Sequence, residues 1–151
     1  MMTDGEDIHA TCIALGEIGV LLRGPSGSGK SDLALRLIDS GARLVADDRV
    51  CLARRDGRVV ASAPAPLRGL IEVRGLGIVR LGDDRLADVV PVALVCDLVP
   101  GPEVERLPEP VQAEFFGLCL PRIALAPFET ATPAKLRLAA GAGPGSIMVG
   151  A

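Results

Sequence analysis

Gly24-Pro25-Ser26-Gly27-Ser28-Gly29-Lys30-Ser31 is a complete G-x-x-x-x-G-K-[ST] phosphate-binding loop, and its flanks decide the fold. Before it, Gly19-Val20-Leu21-Leu22-Arg23 is a buried-strand pattern. After it, Asp32-Leu33-Ala34-Leu35-Arg36-Leu37-Ile38-Asp39 is helical, with Leu33, Leu37 and Ile38 on one face. A strand, a glycine-rich turn and a helix in this order aim backbone N–H groups at a phosphate and add the partial positive charge of a helix N-terminus. In such a loop the lysine reaches the β- and γ-phosphates and the last hydroxyl is a Mg²⁺ ligand, which assigns Lys30 and Ser31. The chain has only two lysines, Lys30 and Lys135, and one of them falls on the required position. The expected ligand is a nucleotide or another polyphosphate.

The next strand, Arg43-Leu44-Val45-Ala46, follows Gly41, which stops the helix, and it ends on Asp47-Asp48. In a strand–helix–strand unit the two strand ends share one sheet edge, so the acidic pair arrives beside the loop. Alternation along a strand turns one Asp toward the site and the other elsewhere, or onto metal through water. Two close carboxylates resist ionising together, which favours one as a proton acceptor, Asp47 by preference. Glu72 is a lone carboxylate in the apolar run Ile71-Glu72-Val73-Arg74, where either a cation or a pairing with Arg74 accounts for it. His9, the only histidine, reads in isolation as an ordinary surface residue.

At 151 residues the chain is one domain, expected over 1–140, with the glycine-rich stretch 141–151 as a fraying tail. Net charge is −3, and fourteen scattered arginines form no basic stripe. With three Phe and no Trp or Tyr there is little to stack on bases, so a nucleic-acid partner is not expected. By the same scarcity, an adenine ring is expected against aliphatic side chains or Arg planes. Cys12, Cys51, Cys96 and Cys119 form no C-x-x-C pair and read as buried free thiols. The acidic start is no signal peptide and no apolar run approaches the ~20 residues of a membrane span, so a cytoplasmic protein without a membrane partner is expected. The chain holds no Asn, which removes the Asn-Lys-x-Asp guanine reader of GTPases, and it is too short for a motor or AAA-type ATPase. No Arg-rich lid of the nucleoside-kinase kind stands out.

Elsewhere, 1–7 reads as a loose polar start and Ala10 to Leu15 as a strand feeding the loop strand through Gly16-Glu17-Ile18-Gly19. Val50 to Arg54 and Val59 to Ser62 form a hairpin about Asp56-Gly57. A strand over 70–74 precedes a flexible Gly75-Leu76-Gly77. Val89 to Val99 is a central strand despite Pro91, 103–114 is charged and Pro-interrupted, and Leu118 to Leu125 is a last strand. Thr132 caps a short helix with Pro133 in its first turn.

Three segments together resemble one family. His9 followed by Gly24 to Ser31, then Gly41-x-Arg43-Leu44-Val45-Ala46-Asp47-Asp48-Arg49-Val50, then Ile71-Glu72-Val73-Arg74-Gly75-Leu76-Gly77-Ile78, are similar to the catalytic domain of HPr kinase/phosphorylase, in a short form with that domain only. The resemblance implies an α/β fold, a P-loop kinase domain with a mixed sheet like the nucleotide-binding domain of phosphoenolpyruvate carboxykinase, assembled as a homohexamer with the Leu76–Ile78 region in contacts. It implies a serine kinase acting on a phosphocarrier protein of the phosphotransferase system, HPr or a nitrogen-system relative. ATP with Mg²⁺ is the donor, pyrophosphate in some members. His9, Lys30, Asp47, Asp48 and Arg106 fall on its catalytic positions, residues 24–31 on its nucleotide loop, and Ser31 and Glu72 on its Mg²⁺ positions. The family's late Pro-x-x-x-Gly-Arg-Asn segment, tied to the reverse phosphorolytic reaction, is replaced here by Leu120 to Phe128. A small-molecule kinase, a water-using ATPase and a nucleotide-sensing regulator are the rival readings.

Overall fold

The computed structural model describes residues 5–142. Its chain begins with β1 (Gly5–Ile8), β2 (Thr11–Leu15) and β3 (Ile18–Arg23), then passes through the phosphate loop into α1 (Lys30–Asp39). Five further strands follow, β4 (Arg43–Ala46), β5 (Val50–Arg55), β6 (Arg58–Ser62), β7 (Leu70–Val73) and β8 (Gly77–Arg80). The long β9 (Val89–Leu98), then β10 (Val111–Phe115), β11 (Leu118–Leu125) and α2 (Thr132–Ala142) complete it. The result is an α/β fold with a mixed sheet.

Nine strands make one sheet, in the order β1-β5-β6-β9-β3-β2-β4, with β11 on β9 and β10 on β11; β7 and β8 form a separate hairpin. β9 organises the sheet because it is long enough to take three partners. Its first residues pair antiparallel with β6, and from Val92 onward it runs parallel to β3. Its last four residues run parallel to β11. Pro91, which has no N–H to give, faces Val60 at the end of the β6 ladder, where the loss of one donor is tolerated. The three parallel strands β3, β9 and β11 therefore finish at one edge, and their outgoing loops meet there.

Alternation along the strands divides the core in two. Ile13, Val20, Leu22, Leu44, Leu94 and Cys96 face the layer where α1 packs Leu33, Ala34, Leu37 and Ile38 and α2 packs Leu136. Cys12, Ala14, Leu21, Val45 and Val95 face the other way, against Val50, Leu52, Val59 and Ala61 of the β5–β6 arm and Ala113 and Phe115 of β10. The apolar face expected for α1 is the one it buries. The Asp56-Gly57 hairpin also forms, with both residues at positive φ (53° and 74°), the twist that a two-residue hairpin turn requires.

Several expectations need correcting. The start expected to be loose over 1–7 is a strand from Gly5: Gly5–Ile8 pairs residue by residue with Ala53 to Val50 as an edge strand, exposed along most of its length, and residues 1–4 lie outside the described residues. Gly77 belongs to β8, and the charged, Pro-interrupted stretch 103–114 leads into a strand that the sequence reading did not assign, β10. Thr132 does not cap α2. It is fully buried, and its hydroxyl donates to the Ala126 carbonyl, tying off the loop before the helix. Cys12 and Cys96 are buried, and burial pushes each thiol up to about 12, so both are unreactive. Cys51 is only half-buried and Cys119 is exposed. α2 runs through Gly141 to Ala142, and the rest of the expected tail, 143–151, lies outside the described residues.

Candidate active site

The loop 24–31 leaves β3 at the edge shared with β9 and β11 and opens a cavity of about 510 Å³, a size suited to a small ligand. Lys30, Ser31, Asp32, Asp48, Glu72, Arg74 and Phe128 line it, together with the loop glycines. Lys30 folds back: its Nζ donates to the carbonyls of Gly24 (2.6 Å) and Pro25 (3.0 Å). Burial lowers its pKa from the ordinary lysine value, while the charges of Asp48 and Asp47 act to raise it. An ammonium group parked on two carbonyls in this way is free to exchange them for phosphate oxygens.

Asp47 ties three elements together. Its Oδ1 accepts from the Ser31 hydroxyl (2.7 Å) and from the buried Thr11 hydroxyl of β2 (3.0 Å), and its Oδ2 accepts the Glu72 backbone N–H of β7 (3.0 Å). Both oxygens are engaged and the residue is buried. Asp48 behaves differently. β4 ends at Ala46, so strand alternation no longer governs the pair, and Asp48 takes a left-handed backbone (φ 68°) that Asp tolerates better than most residues. Both carboxylates consequently reach the site, Asp47 onto Ser31 and Asp48 into the open cavity with its side chain 69% exposed. His9, in the turn between β1 and β2, stands behind Asp48, with Nδ1 3.6 Å from Oδ1.

Glu72 is exposed to the cavity, and no ion pair between it and Arg74 forms among the described residues, so the pairing alternative loses its support. Arg106 is the candidate that the structure does not bring in. It lies exposed beyond the turn at Gly101–Glu103, outside the cavity lining. Two groups escaped the sequence reading. Thr11 is a lone hydroxyl in an apolar strand, a signal that was there to be used. Phe128 sits on the rim through a contact distant in sequence, and nothing local marks it.

Gly29 links the loop to α1 at φ 99°, and a Cβ there would stand 2.8 Å from Phe128 Cζ and 2.9 Å from Pro127 Cβ. Gly29→Ala is therefore expected to destabilise the chain by about 1–3 kcal/mol from backbone strain, read as a lower urea midpoint. An unchanged midpoint would show that the loop relaxes freely.

Beneath the loop, Arg23, the last residue of β3, donates from Nε (2.7 Å) and Nη2 (3.1 Å) to Asp97 of β9, and Arg122 Nη1 of β11 adds a third bond at 3.2 Å. This clasp joins the three parallel strands where they deliver their loops. Burial works to raise the Asp97 pKa, but the Arg23 and Arg122 hydrogen bonds and charges outweigh it and hold the carboxyl below its usual value. A depressed folded-state pKa contributes stability that is full above the unfolded value of about 3.9 and is lost as pH falls through the folded value. Acid should therefore loosen the clasp below about pH 4, and Asp97→Asn should lower the urea midpoint at pH 7 while flattening its fall in acid. A parallel shift of the whole pH curve would contradict this.

The arrangement can hold a polyphosphate on backbone amides and Lys30, present oxygen ligands from Ser31 and Glu72, and offer a free carboxylate at the open end. The family model of the HPr Serine kinase C-terminal domain matches residues 1–120. Among curated proteins, HPr kinase/phosphorylase of Lactobacillus delbrueckii subsp. bulgaricus is 39% identical over 102 residues, 64% of this chain and 32% of that protein. The protein of the same description from Lactiplantibacillus plantarum is 33% identical over 133 residues, 82% of this chain and 42% of that protein. The chain thus spans less than half of the length of each of these two relatives. Among solved structures, the Hpr(Ser) kinase/phosphatase from Coxiella burnetii superposes with a TM-score of 0.76 at 27% identity, covering 87% of this chain and 86% of that one. The chain belongs to the HPr serine kinase C-terminal domain family.

Proposed function

We propose that this chain transfers the γ-phosphoryl group of ATP to a serine hydroxyl on a small HPr-like phosphocarrier protein. The observation that carries the reading is the joint placement of Lys30, Ser31, Asp48 and Glu72 around one cavity, with Asp47 bonded to Ser31 beneath them, in a chain of this family. Amides of residues 27–31 and the Lys30 ammonium hold the β- and γ-phosphates; positioning and charge stabilisation supply most of the rate.

Mg²⁺ fits the donors present. Ser31 and Glu72 offer the hard oxygen ligands it prefers, with the remainder supplied by phosphates and water. Bound there by Ser31 and Glu72, the ion would neutralise charge on the phosphates. Asp47 keeps the Ser31 hydroxyl directed through its 2.7 Å hydrogen bond. The proton acceptor in this proposal is Asp48 rather than Asp47, because Asp48 alone of the two has oxygens free to meet an incoming hydroxyl. His9, at 3.6 Å, holds that carboxylate and its charge in place. No step is assigned to Arg106.

Pyrophosphate as an alternative donor and phosphorolysis of the phosphoserine remain part of the family expectation, as does the likeness to the phosphoenolpyruvate carboxykinase nucleotide domain. A homohexamer is proposed on the same footing, supported by Leu76 and Ile78, which are 79% and 66% exposed on the β7–β8 turn and strand. The test is direct: purified chain with γ-labelled ATP, with and without purified HPr-type carrier. Label on a carrier serine supports the reading. Release as phosphate alone would replace it with the ATPase, and no turnover with the regulator or a kinase whose small-molecule acceptor is missing from the mixture.

A further inference from the structure

Aromatic side chains are scarce here, and the structure spends two of the three inside. Phe115 is buried and Phe116 half-buried, but Phe128 is 68% exposed and stands on the phosphate cavity, its ring against Gly29. Single exposed apolar residues are ordinary. What sets this one apart is how its backbone is held. Thr132 Oγ1 donates to the Ala126 carbonyl before it, and Arg36 of α1 donates from Nη2 to the Pro127 carbonyl and from Nη1 to the Glu129 carbonyl (3.4 Å) on either side of it. Arg36 is itself steadied by Asp32, Nε to Oδ2 at 3.1 Å. The main chain is fixed across the loop while the ring is left open to solvent, beside the helix end that takes the phosphates. Phe128 also falls beyond residues 1–120, which the family model matches.

We propose that Phe128 is the platform on which the nucleobase stacks, with Arg36 as its positioning residue. This rests on the phosphate-loop reading and deepens it. The polar part of the cavity serves the triphosphate, and of its apolar lining, Leu35, Val73 and Phe128, the phenylalanine alone has a π face. A pre-held ring loses little freedom when it captures a base. Stacking is tolerant of base identity, so ATP and GTP should both gain from it, whereas a ligand with phosphates only should not.

The experiment titrates wild type, Phe128→Ala and Arg36→Ala with Mg·ATP, Mg·GTP and Mg·tripolyphosphate by calorimetry. Phe128→Ala should weaken both nucleotides by about tenfold or more and leave tripolyphosphate within twofold; Arg36→Ala should show the same split, smaller. Phe128→Trp supplies the only tryptophan of the chain, and its fluorescence should be quenched by Mg·ATP and not by tripolyphosphate. Equal affinities for all three ligands in wild type and Phe128→Ala would overturn the platform alone. So would a variant with unchanged nucleotide affinity and a raised KM for the carrier protein, which would give the ring to the protein substrate. A wild-type chain that binds none of the ligands overturns the phosphate-loop reading, and the platform with it.

Discussion

Lys30→Met is expected to lower phosphoryl transfer by about 10³-fold and to weaken Mg·ATP, with a modest fall in unfolding midpoint. The side chain is the lysine of the loop itself, and among the described residues its Nζ bonds to the Gly24 and Pro25 carbonyls. Losing those two bonds costs on the order of 1 kcal/mol each. Losing a fixed charge against the developing transition-state charge costs far more, because it acts in a partly desolvated site and needs no reorganisation. Single-turnover rates with saturating ATP measure the chemical step directly. A variant within tenfold of wild type would mean that Lys30 does not meet the transferred phosphate.

The aspartates should separate cleanly. Asp48→Asn removes a carboxylate from the open end of the cavity, and transfer is expected to fall by about 10²–10⁴ with nucleotide affinity and stability near wild type. Asp47→Ala strands three donors, the Thr11 hydroxyl, the Ser31 hydroxyl and the Glu72 N–H. Each donor left without a partner costs about 1–3 kcal/mol, so this variant should unfold at lower urea and bind Mg·ATP poorly. Urea titration beside single-turnover kinetics gives both readouts. Were Asp47 the proton acceptor, Asp47→Asn would carry that rate loss of about 10²–10⁴, and Asp48→Asn would be nearly silent.

The divide between these residues shows what the sequence could carry. The loop, β3, α1 and the acidic pair are local signals: a motif, a run of apolar residues, a 3.6-residue period. They folded where the pattern put them. The strand-end rule brought Asp47-Asp48 to the correct edge, but which carboxylate faces inward depends on where β4 stops, and a left-handed residue at Asp48 broke the alternation. β1 has almost no buried face, so only its pairing with β5 makes it a strand. β10 does alternate, with Ala113 and Phe115 inward and Gln112 and Glu114 outward, but the prolines and charges just before it masked a five-residue pattern. Phe128 owes its place to Arg36, 91 to 93 residues earlier, a contact written nowhere in either segment alone.

No described helix is long and apolar enough to cross a bilayer. The site itself is assembled from four separate stretches, residues 9–11, 24–32, 47–48 and 72–77, with 128 closing the rim. The hydrogen bonds of Asp47 join the first four, so the geometry of the cavity and the stability of the chain are linked at that residue.

The most direct test of the account is a crystal structure with Mg²⁺ and a non-hydrolysable ATP analogue. The account predicts phosphates on the amides of residues 27–31, with Lys30 Nζ released from the Gly24 and Pro25 carbonyls onto phosphate oxygens and the Asp48 carboxylate facing the terminal phosphorus. An analogue bound elsewhere, with Lys30 still on those carbonyls, would contradict it.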